Sequence, residues 1–174
     1  MRNKQVIALV GLSGVGKSSV GRELAERLGC PLIDTDALIT QSTGRTIPDI
    51  FAAEGEARFR ELETDALTTA LIPMPSVVAT GAGIVLRSEN RARLRERALV
   101  AWLDAPTEAL VARLLAHHEA RPLLQGADLA ARLEALRQVR AALYAEVADV
   151  RIETDGRTVA DIAQAILRAF ELIQ

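Results

Sequence analysis

The sequence predicts an α/β protein built on a parallel sheet with helices on both faces. Three observations support this class: apolar runs alternate with segments of helical periodicity, Gly and Pro residues separate them, and a glycine-rich loop follows the first run. Ligands of such sheets bind at the carboxyl ends of the strands, so the polar segments that follow the strands are the candidates for a functional site.

Five short apolar runs are the predicted strands. They are QVIALV at 5–10, LID at 32–34, SVVAT at 76–80, ALVAWL at 98–103 and VRIET at 150–154. The first run is almost wholly apolar and ends at a glycine, which is typical of a strand buried on both faces.

Helical periodicity fills the segments between these runs. The first predicted helix carries Val20, Leu24 and Leu28, the second extends from near Ile47 to Leu71 with Thr46 as its cap, and RSENRARLRER at 87–97 is a charged helix. Later helices begin at Asp104 and Pro106, at Asp128 and at Thr158. The apolar stripe of the Asp128 helix is predicted to be Leu129, Leu133, Leu136, Val139, Leu143 and Val147. Residues 35–46 and 117–126 show no clear periodicity and are expected to be irregular.

Length and composition indicate one domain, 1–174, of an ordinary globular protein. Apolar residues make up 49% of the 174 residues and charged residues 25%, while the net charge of −2 provides no attraction for nucleic acid or an anionic membrane. The apolar stretch near the N-terminus is too short for a signal sequence or a membrane span. A lone cysteine, Cys30, is expected to be buried filler and indicates a reducing compartment, so we expect a cytoplasmic protein.

The glycine-rich loop has the spacing of a phosphate-binding motif. Gly11, Gly16, Lys17 and Ser18 fit G-x-x-x-x-G-K-[ST], with a predicted strand before the loop and a helix after it. Bare backbone amides and the positive end of a helix dipole can together cradle phosphate oxygens. The motif predicts that Lys17 contacts the β- and γ-phosphates of a nucleotide and that Ser18 binds Mg²⁺.

A magnesium partner for Ser18 is expected at the end of another strand. ALVAWLD, ending at Asp104, is the best formal match, but Asp104 precedes a helix start and is predicted to cap that helix. Asp34 ends the second strand close to the glycine-rich loop and is therefore the predicted metal ligand.

Two features suggest an acceptor side. Asp34 and Asp36 flank Thr35, and this spacing fits either a phosphotransferase pair or a solvated turn with a helix cap. Arg121 lies in the irregular 117–126 segment, where it could fold over a transferring phosphate. Arg60 and Arg140 are unremarkable by spacing alone.

The order of motifs along the chain resembles the shikimate kinase family. After the glycine-rich loop come IDTD, TGRTIPDIFAAEGEARFRELE, a GAG turn, RPLL and RAALY, so the resemblance covers nearly the whole chain. It implies a three-layer P-loop kinase fold with sheet order 2-3-1-4-5, a substrate-binding insertion at 35–62 and a lid at 115–126. It also implies transfer of the ATP γ-phosphate to the 3-hydroxyl of shikimate, on the route to chorismate and aromatic amino acids.

Specific residues carry over by position. The resemblance implies that Lys17, Asp36 and Arg121 are catalytic, with Asp36 as base or as the group that orients the hydroxyl. It implies that ATP and Mg²⁺ are the cofactors. It places ATP against Gly14, Val15, Gly16, Lys17, Ser18, Ser19, Arg121 and Arg157. It places shikimate against Asp36, Arg60, Gly81, Ala82, Gly83 and Arg140. It implies that Mg²⁺ is bound at Ser18 and Asp34. The expected partner is shikimate alone, with no nucleic acid or membrane, and we expect a monomer.

Two departures from the family pattern concern the site. Ala82 stands where the family has the middle of three glycines, and a positive φ there would cost about 1–2 kcal/mol. Arg113 precedes Arg121 by one residue more than an adenine-stacking arginine in the family commonly does.

The residues alone are also compatible with two other functions, a different small-molecule kinase and a ligand sensor. A kinase for another small hydroxy acid, such as gluconate, would share the glycine-rich loop, and a ligand sensor would bind without turnover. A GTPase is disfavoured because no N-K-x-D sequence occurs.

Overall fold

A five-stranded sheet, parallel at each pairing, forms the centre of the molecule. The computed structural model describes residues 4–117 and 129–172. Its strands are β1 (Val6–Val10), β2 (Leu32–Asp34), β3 (Ser76–Ala79), β4 (Ala98–Asp104) and β5 (Val150–Glu153). Their order is β2-β3-β1-β4-β5, which confirms both the predicted class and the predicted strand order.

Helices cover the sheet as expected for parallel strands joined by crossovers. They are α1 (Lys17–Leu28), α2 (Thr35–Thr43), α3 (Ile47–Ala70), α4 (Ser88–Arg97), α5 (Thr107–His117), α6 (Leu129–Val147) and α7 (Val159–Glu171), with a 3₁₀ turn at Ile84–Leu86. Helix α1 packs against α7, and α4 packs against α6 and β4. In the described ranges no helix combines the length and apolar character that crossing a bilayer requires.

Burial of the central strands explains why the first apolar run has so few polar residues. Every residue of β1 and β4 is buried, including Leu9 and Leu103, because helices cover both faces. Cys30 is half-buried against this core, less than predicted, and burial raises the pKa of its thiol.

Helix α2 was not expected from the sequence. Residues 35–46 lack clear periodicity, yet Asp34 Oδ1 accepts hydrogen bonds from the amides of Asp36 and Ala37, at 2.9 and 3.2 Å, and so caps a nine-residue helix. Its one fully buried apolar side chain, Ile39, joins a second small core with Ile50 and Phe59 of α3. One buried apolar position in nine residues is too little for a periodic signal.

The predicted apolar stripe of α6 is wrong at its centre. Val139 is 63% exposed, whereas Leu133, Arg140 and Tyr144 are buried. The helix therefore turns two polar side chains inward and leaves an apolar one in water. The predicted cap of this helix, Asp128, lies outside the described residues.

Asp104 does not cap the helix that follows it, contrary to the prediction. Helix α5 begins at Thr107, and the Asp104 carboxylate forms ion pairs with Arg137 and Arg151. Pro106, directly before Thr107, occupies the position at which a cap would act. The strand ends at Asp34 and Asp104, with the loops after β1 and β3, meet at one edge of the sheet.

A capping box at the start of α7 leads to a testable prediction. Thr158 and Asp161 bond reciprocally, and the Thr158 hydroxyl lowers the pKa of Asp161. Thr158→Ala should reduce the free energy of unfolding at pH 7 by about 1 kcal/mol, measured by urea denaturation, whereas Thr158→Ser should retain most of it. Because the folded-state pKa of Asp161 lies below its unfolded value, this difference should shrink as acid protonates Asp161. An equal loss in both variants would contradict the capping role.

Candidate active site

The loop between β1 and α1 exposes backbone amides because its glycines adopt conformations that other residues avoid. Gly11, Gly14 and Gly16 have φ values of 145, 82 and 102°, in the left-handed half of the map. A Cβ on Gly11 would lie 2.3 Å from the carbonyl oxygen of Leu103. The motif thus reflects both backbone conformation and close contact with β4.

Two side chains of the motif are anchored at the start of α1. The Lys17 ammonium donates to the carbonyl oxygens of Gly11 and Leu12, at 2.8 and 2.9 Å. The Ser18 hydroxyl lies 3.3 Å from Asp34 Oδ2. A cation, a hydroxyl and a carboxylate therefore converge where the helix dipole is positive.

These groups form one wall of a cavity of about 460 Å³. Arg113, Thr154 and Arg157 also line it, as do Asp34 and Asp36, and Asp36 lies toward Glu63 and the turn after β3. Arg113 donates to Thr154 Oγ1 at 3.0 Å and to the Val15 carbonyl at 3.3 Å, so it bridges the loop to the end of β5. Its spacing from Arg121 departs from the family pattern, but the structure places it in the cavity wall.

A buried ion pair lies beyond the Asp36 end of the cavity. The Arg60 side chain is only 9% exposed and contacts Glu63 at 2.5 Å and Glu56 at 2.9 Å. Burial lowers the pKa of Arg60, but the charge and hydrogen bonds of Glu63 and Glu56 outweigh it and the net shift is upward. Arg60 is therefore a permanent cation in a nearly dry environment.

Glu63 is a site residue that sequence reasoning missed. It is 1% exposed, and burial raises its pKa above the ordinary value, although the charges of Arg60 and Arg140 oppose the shift. The only signal was its position three residues after Arg60, which places both on one helix face but also occurs in many solvated pairs.

The turn after β3 shows why glycines flank Ala82. A Cβ on Gly83 would lie 2.0 Å from Arg60 Nη1, and one on Gly81 would lie 2.8 Å from oxygens of Asp36 and Glu63. The amide of Ile84 bonds to the Gly81 carbonyl, and Gly83 at φ −88° and ψ 1° has the geometry of the third residue of a type I turn. Ala82 occupies the second position of this turn, where φ near −60° suits any residue. The backbone strain that a positive φ would cause at Ala82 therefore does not arise.

Helix α6 supplies the remaining polar groups. The Tyr144 hydroxyl donates to the Ala82 carbonyl at 2.6 Å, and burial raises the pKa of Tyr144 above its usual range, which keeps it a donor. Arg140 is 4% exposed, and its Nε is buried without a hydrogen-bond partner among the residues that the structure describes. A buried guanidinium nitrogen of this kind can donate to a ligand, an ion or a water molecule.

The donor set fits a magnesium ion that arrives with a nucleotide. Among the described residues no three His, Cys, Asp or Glu side chains are grouped closely enough to hold a metal by themselves. Mg²⁺ commonly binds through one or two protein oxygens together with water and substrate phosphates. Ser18 and Asp34 can provide those two oxygens.

The structure brings most of the predicted site residues to one edge of the sheet. The predicted nucleotide residues line the cavity, and Asp36 joins the cavity to the predicted acceptor residues. Arg121 and most of the predicted lid at 115–126 lie outside the described residues.

Comparison with known proteins identifies the family. The family model described as "Shikimate kinase" matches residues 13–171. The chain belongs to the shikimate kinase family. Shikimate kinases are ATP-dependent phosphotransferases that act on shikimate, as the resemblance predicted.

Individual shikimate kinases are similar over almost their full length. The enzyme from Symbiobacterium thermophilum is 48% identical, with 95% of each chain covered. The enzyme from Paracidovorax citrulli is 46% identical, with 99% of this chain and 96% of the relative covered.

Solved structures of shikimate kinases are also similar to this chain. Shikimate kinase from Acinetobacter baumannii in complex with shikimate is 40% identical with a TM-score of 0.94, covering 99% of this chain and 96% of that one. A gluconokinase from Sinorhizobium meliloti, at 20% identity and a TM-score of 0.61 with 99% and 95% covered, shares the fold alone.

The shikimate kinase turn gives a direct test of the steric role of Gly83. Gly83→Ala should displace the Arg60 guanidinium and lower the free energy of unfolding by about 1–3 kcal/mol. The new methyl group is fixed to the backbone of the turn and cannot move away from the guanidinium. Ala82→Gly is the matched control and should change the unfolding free energy by less than about 1 kcal/mol. Urea denaturation measures both, and equal effects would contradict this account.

Proposed function

We propose that this chain transfers the γ-phosphate of ATP to the 3-hydroxyl of shikimate, giving shikimate 3-phosphate and ADP. The observation that carries the proposal is the pair of buried guanidinium groups, Arg60 and Arg140, beyond the Asp36 end of a cavity lined by a phosphate-binding loop. Shikimate has a carboxylate that the two guanidinium groups can bind and hydroxyls that Asp36 can bind.

The nucleotide half of the site is built from backbone. The amides of Gly14, Val15, Gly16, Lys17, Ser18 and Ser19 would hold the ATP phosphates at the N-terminus of α1. The Lys17 ammonium would exchange its carbonyl partners for β- and γ-phosphate oxygens. Arg157, with Arg113 beside Thr154, would contact the nucleoside end of the cavity.

The acceptor half is built from side chains and one turn. Arg60 and Arg140 would bind the shikimate carboxylate, and the free Nε of Arg140 provides a donor that needs such a partner. Gly81 and Gly83 permit close approach of backbone and guanidinium, and Tyr144 holds the turn through the Ala82 carbonyl. The glycines allow Arg60 and the turn to share one pocket.

The chemical step needs position and charge compensation more than covalent catalysis. The 3-hydroxyl oxygen attacks the γ-phosphorus in line, the bond from that phosphorus to the β–γ bridging oxygen breaks, and the hydroxyl proton passes to Asp36. Lys17 and Arg121 offset the charge that develops on the transferred phosphoryl group. Asp36 also orients the attacking hydroxyl, since it lies between the two halves.

Mg²⁺ would be held by Ser18 and by Asp34, either directly or through a bound water molecule. When bound it neutralises charge on the β- and γ-phosphate oxygens. The Asp34 oxygen that faces Ser18 is not the one that caps α2, so one carboxylate can serve both purposes.

We further propose a single-domain monomer, 1–174, that works in the cytoplasm. The lone cysteine supports a reducing compartment, and the small negative net charge supports a small-molecule partner. Light scattering coupled to gel filtration tests the monomer.

An assay of ADP release distinguishes a shikimate kinase from a gluconate kinase or a sensor. ADP release should require shikimate and should be near background with gluconate or without an acceptor. Shikimate binding without turnover would indicate a sensor instead.

Loss of either acceptor guanidinium should affect shikimate far more than ATP. Arg140→Lys removes the planar fork but keeps charge, and Arg60→Ala removes both, so each should raise the KM for shikimate, by roughly tenfold to a hundredfold. The KM for ATP should stay within about twofold, because neither residue lines the nucleotide cavity. Steady-state kinetics with each substrate varied measures this, and equal shifts in both KM values would contradict the assignment.

Loss of the Lys17 ammonium should act on turnover. Lys17→Ala should lower kcat by roughly a thousandfold, because charge compensation at the γ-phosphate is largest in the transition state. Arg22→Ala, on an exposed position of α1, is the control and should retain the parent kcat. An unchanged kcat in Lys17→Ala would refute the phosphate contact.

A further inference from the structure

The apolar residues of α6 do not by themselves fix its rotation about its axis, because Leu133 and Val147 are buried while Val139 is left in water. Leu136, Val139 and Leu143 form a face whose centre lies roughly 75° from that of the buried face, at 100° per residue. Val139 is 63% exposed and the other two are half-buried. Leu136 and Leu143 already pack against the core, and a rotation that also buried Val139 would turn Arg140 and Tyr144 away from the acceptor pocket, so apolar burial alone leaves the choice between the two rotations open.

Charged contacts at the end of β4 oppose that rotation. Arg137 Nη1 donates to Asp104 Oδ1 at 2.8 Å, and Arg137 Nη2 donates to the Ala105 carbonyl. Arg151 of β5 donates to Asp104 Oδ2 at 2.7 Å. The Asp104 side chain is 5% exposed, so its charge depends on both arginines for compensation.

We propose that Asp104, Arg137 and Arg151 form a clamp that sets the rotation of α6 and thereby turns Arg140 and Tyr144 toward the acceptor pocket. The three are positioning residues, since none lies among the residues assigned above to a substrate. The proposal rests on the proposed function only in identifying the acceptor as shikimate.

The spacing along α6 explains how the clamp acts on Arg140. Arg137, Arg140 and Tyr144 are separated by three and four residues and therefore share one helix face. Tyr144 anchors the far side of Arg140 through the Ala82 carbonyl. With contacts one turn before and one turn after it, the Arg140 side chain has little freedom to leave the pocket.

The clamp also lies close to the phosphate-binding loop. A small void is lined by Leu12 of that loop, Trp102 and Asp104 of β4, and Arg137 and Tyr144 of α6. Arg151 stacks over the Trp102 ring at 4.7 Å, and Trp102 lies 5.8 Å from Tyr144, centroid to centroid. The ring contacts beneath the ion pairs are not directional, so the ion pairs are the contacts that select one rotation.

A labelling experiment tests the rotation directly. In a Cys30→Ser background, Val139→Cys places one thiol on the exposed face of α6. Adding Arg137→Met should slow the reaction of this thiol with an aromatic disulfide reagent at least threefold, because α6 then turns its apolar face inward. Arg132→Met, an exposed change on the same helix, is the control and should leave the rate unchanged.

Kinetics connects the rotation to the pocket. Arg137→Met should raise the KM for shikimate about tenfold and the KM for ATP less than twofold, and Arg137→Lys should recover part of the loss. In an Arg140→Lys background the same change should add less than threefold, because Arg137 acts through Arg140. Asp104→Asn keeps the side-chain size and should shift labelling and KM in the same directions, which guards against a folding defect in Arg137→Met.

The results of these experiments distinguish a failure of the clamp from a failure of the proposed function. Unchanged or faster labelling overturns the clamp, whatever the kinetics, since a loosened helix would react faster. Independent, multiplicative effects of Arg137→Met and Arg140→Lys on KM overturn it as well. If the parent protein fails to phosphorylate shikimate, the proposed function fails, while slower labelling still supports the clamp.

Discussion

The need to compensate buried charge governs the pocket that we propose for the acceptor. Arg60 and Glu63 lie almost wholly out of water, where an unpaired charge would cost several kcal/mol. Their mutual contact offsets that cost in the protein alone, and the glycine turn is shaped around it, since a methyl group at position 83 would overlap the guanidinium. The pocket exists because these charges hold one another in place.

The two halves of the proposed site depend on different interactions. The nucleotide half depends on backbone amides and a helix dipole, which need little from side chains beyond Lys17 and Ser18. The acceptor half depends on side chains from α2, α3 and α6 that are far apart in the chain. Asp36 belongs to both, because it lines the cavity in the first turn of α2 and also faces the turn after β3.

Ala82 shows how position within a turn decides the effect of a substitution. The family pattern of three glycines suggests that each has the same purpose. In the structure Gly81 and Gly83 are required by steric contact with Asp36, Glu63 and Arg60, whereas Ala82 occupies the second position of the turn. A type I turn places no demand for positive φ on Ala82, so the departure from the pattern is compatible with an intact site.

The sequence alone determined the sheet and the phosphate-binding loop, because both depend on local signals: continuous apolar runs for buried strands, and glycines directly between a strand and a helix. It also identified the family, since the motifs are specific in their order. Tertiary structure decided three things: the short helix after Asp34, the inward rotation of α6, and the burial of Glu63. Each depends on partners distant in the chain, such as Asp104 for Arg137, and helical periodicity cannot distinguish a buried polar face from a solvated one.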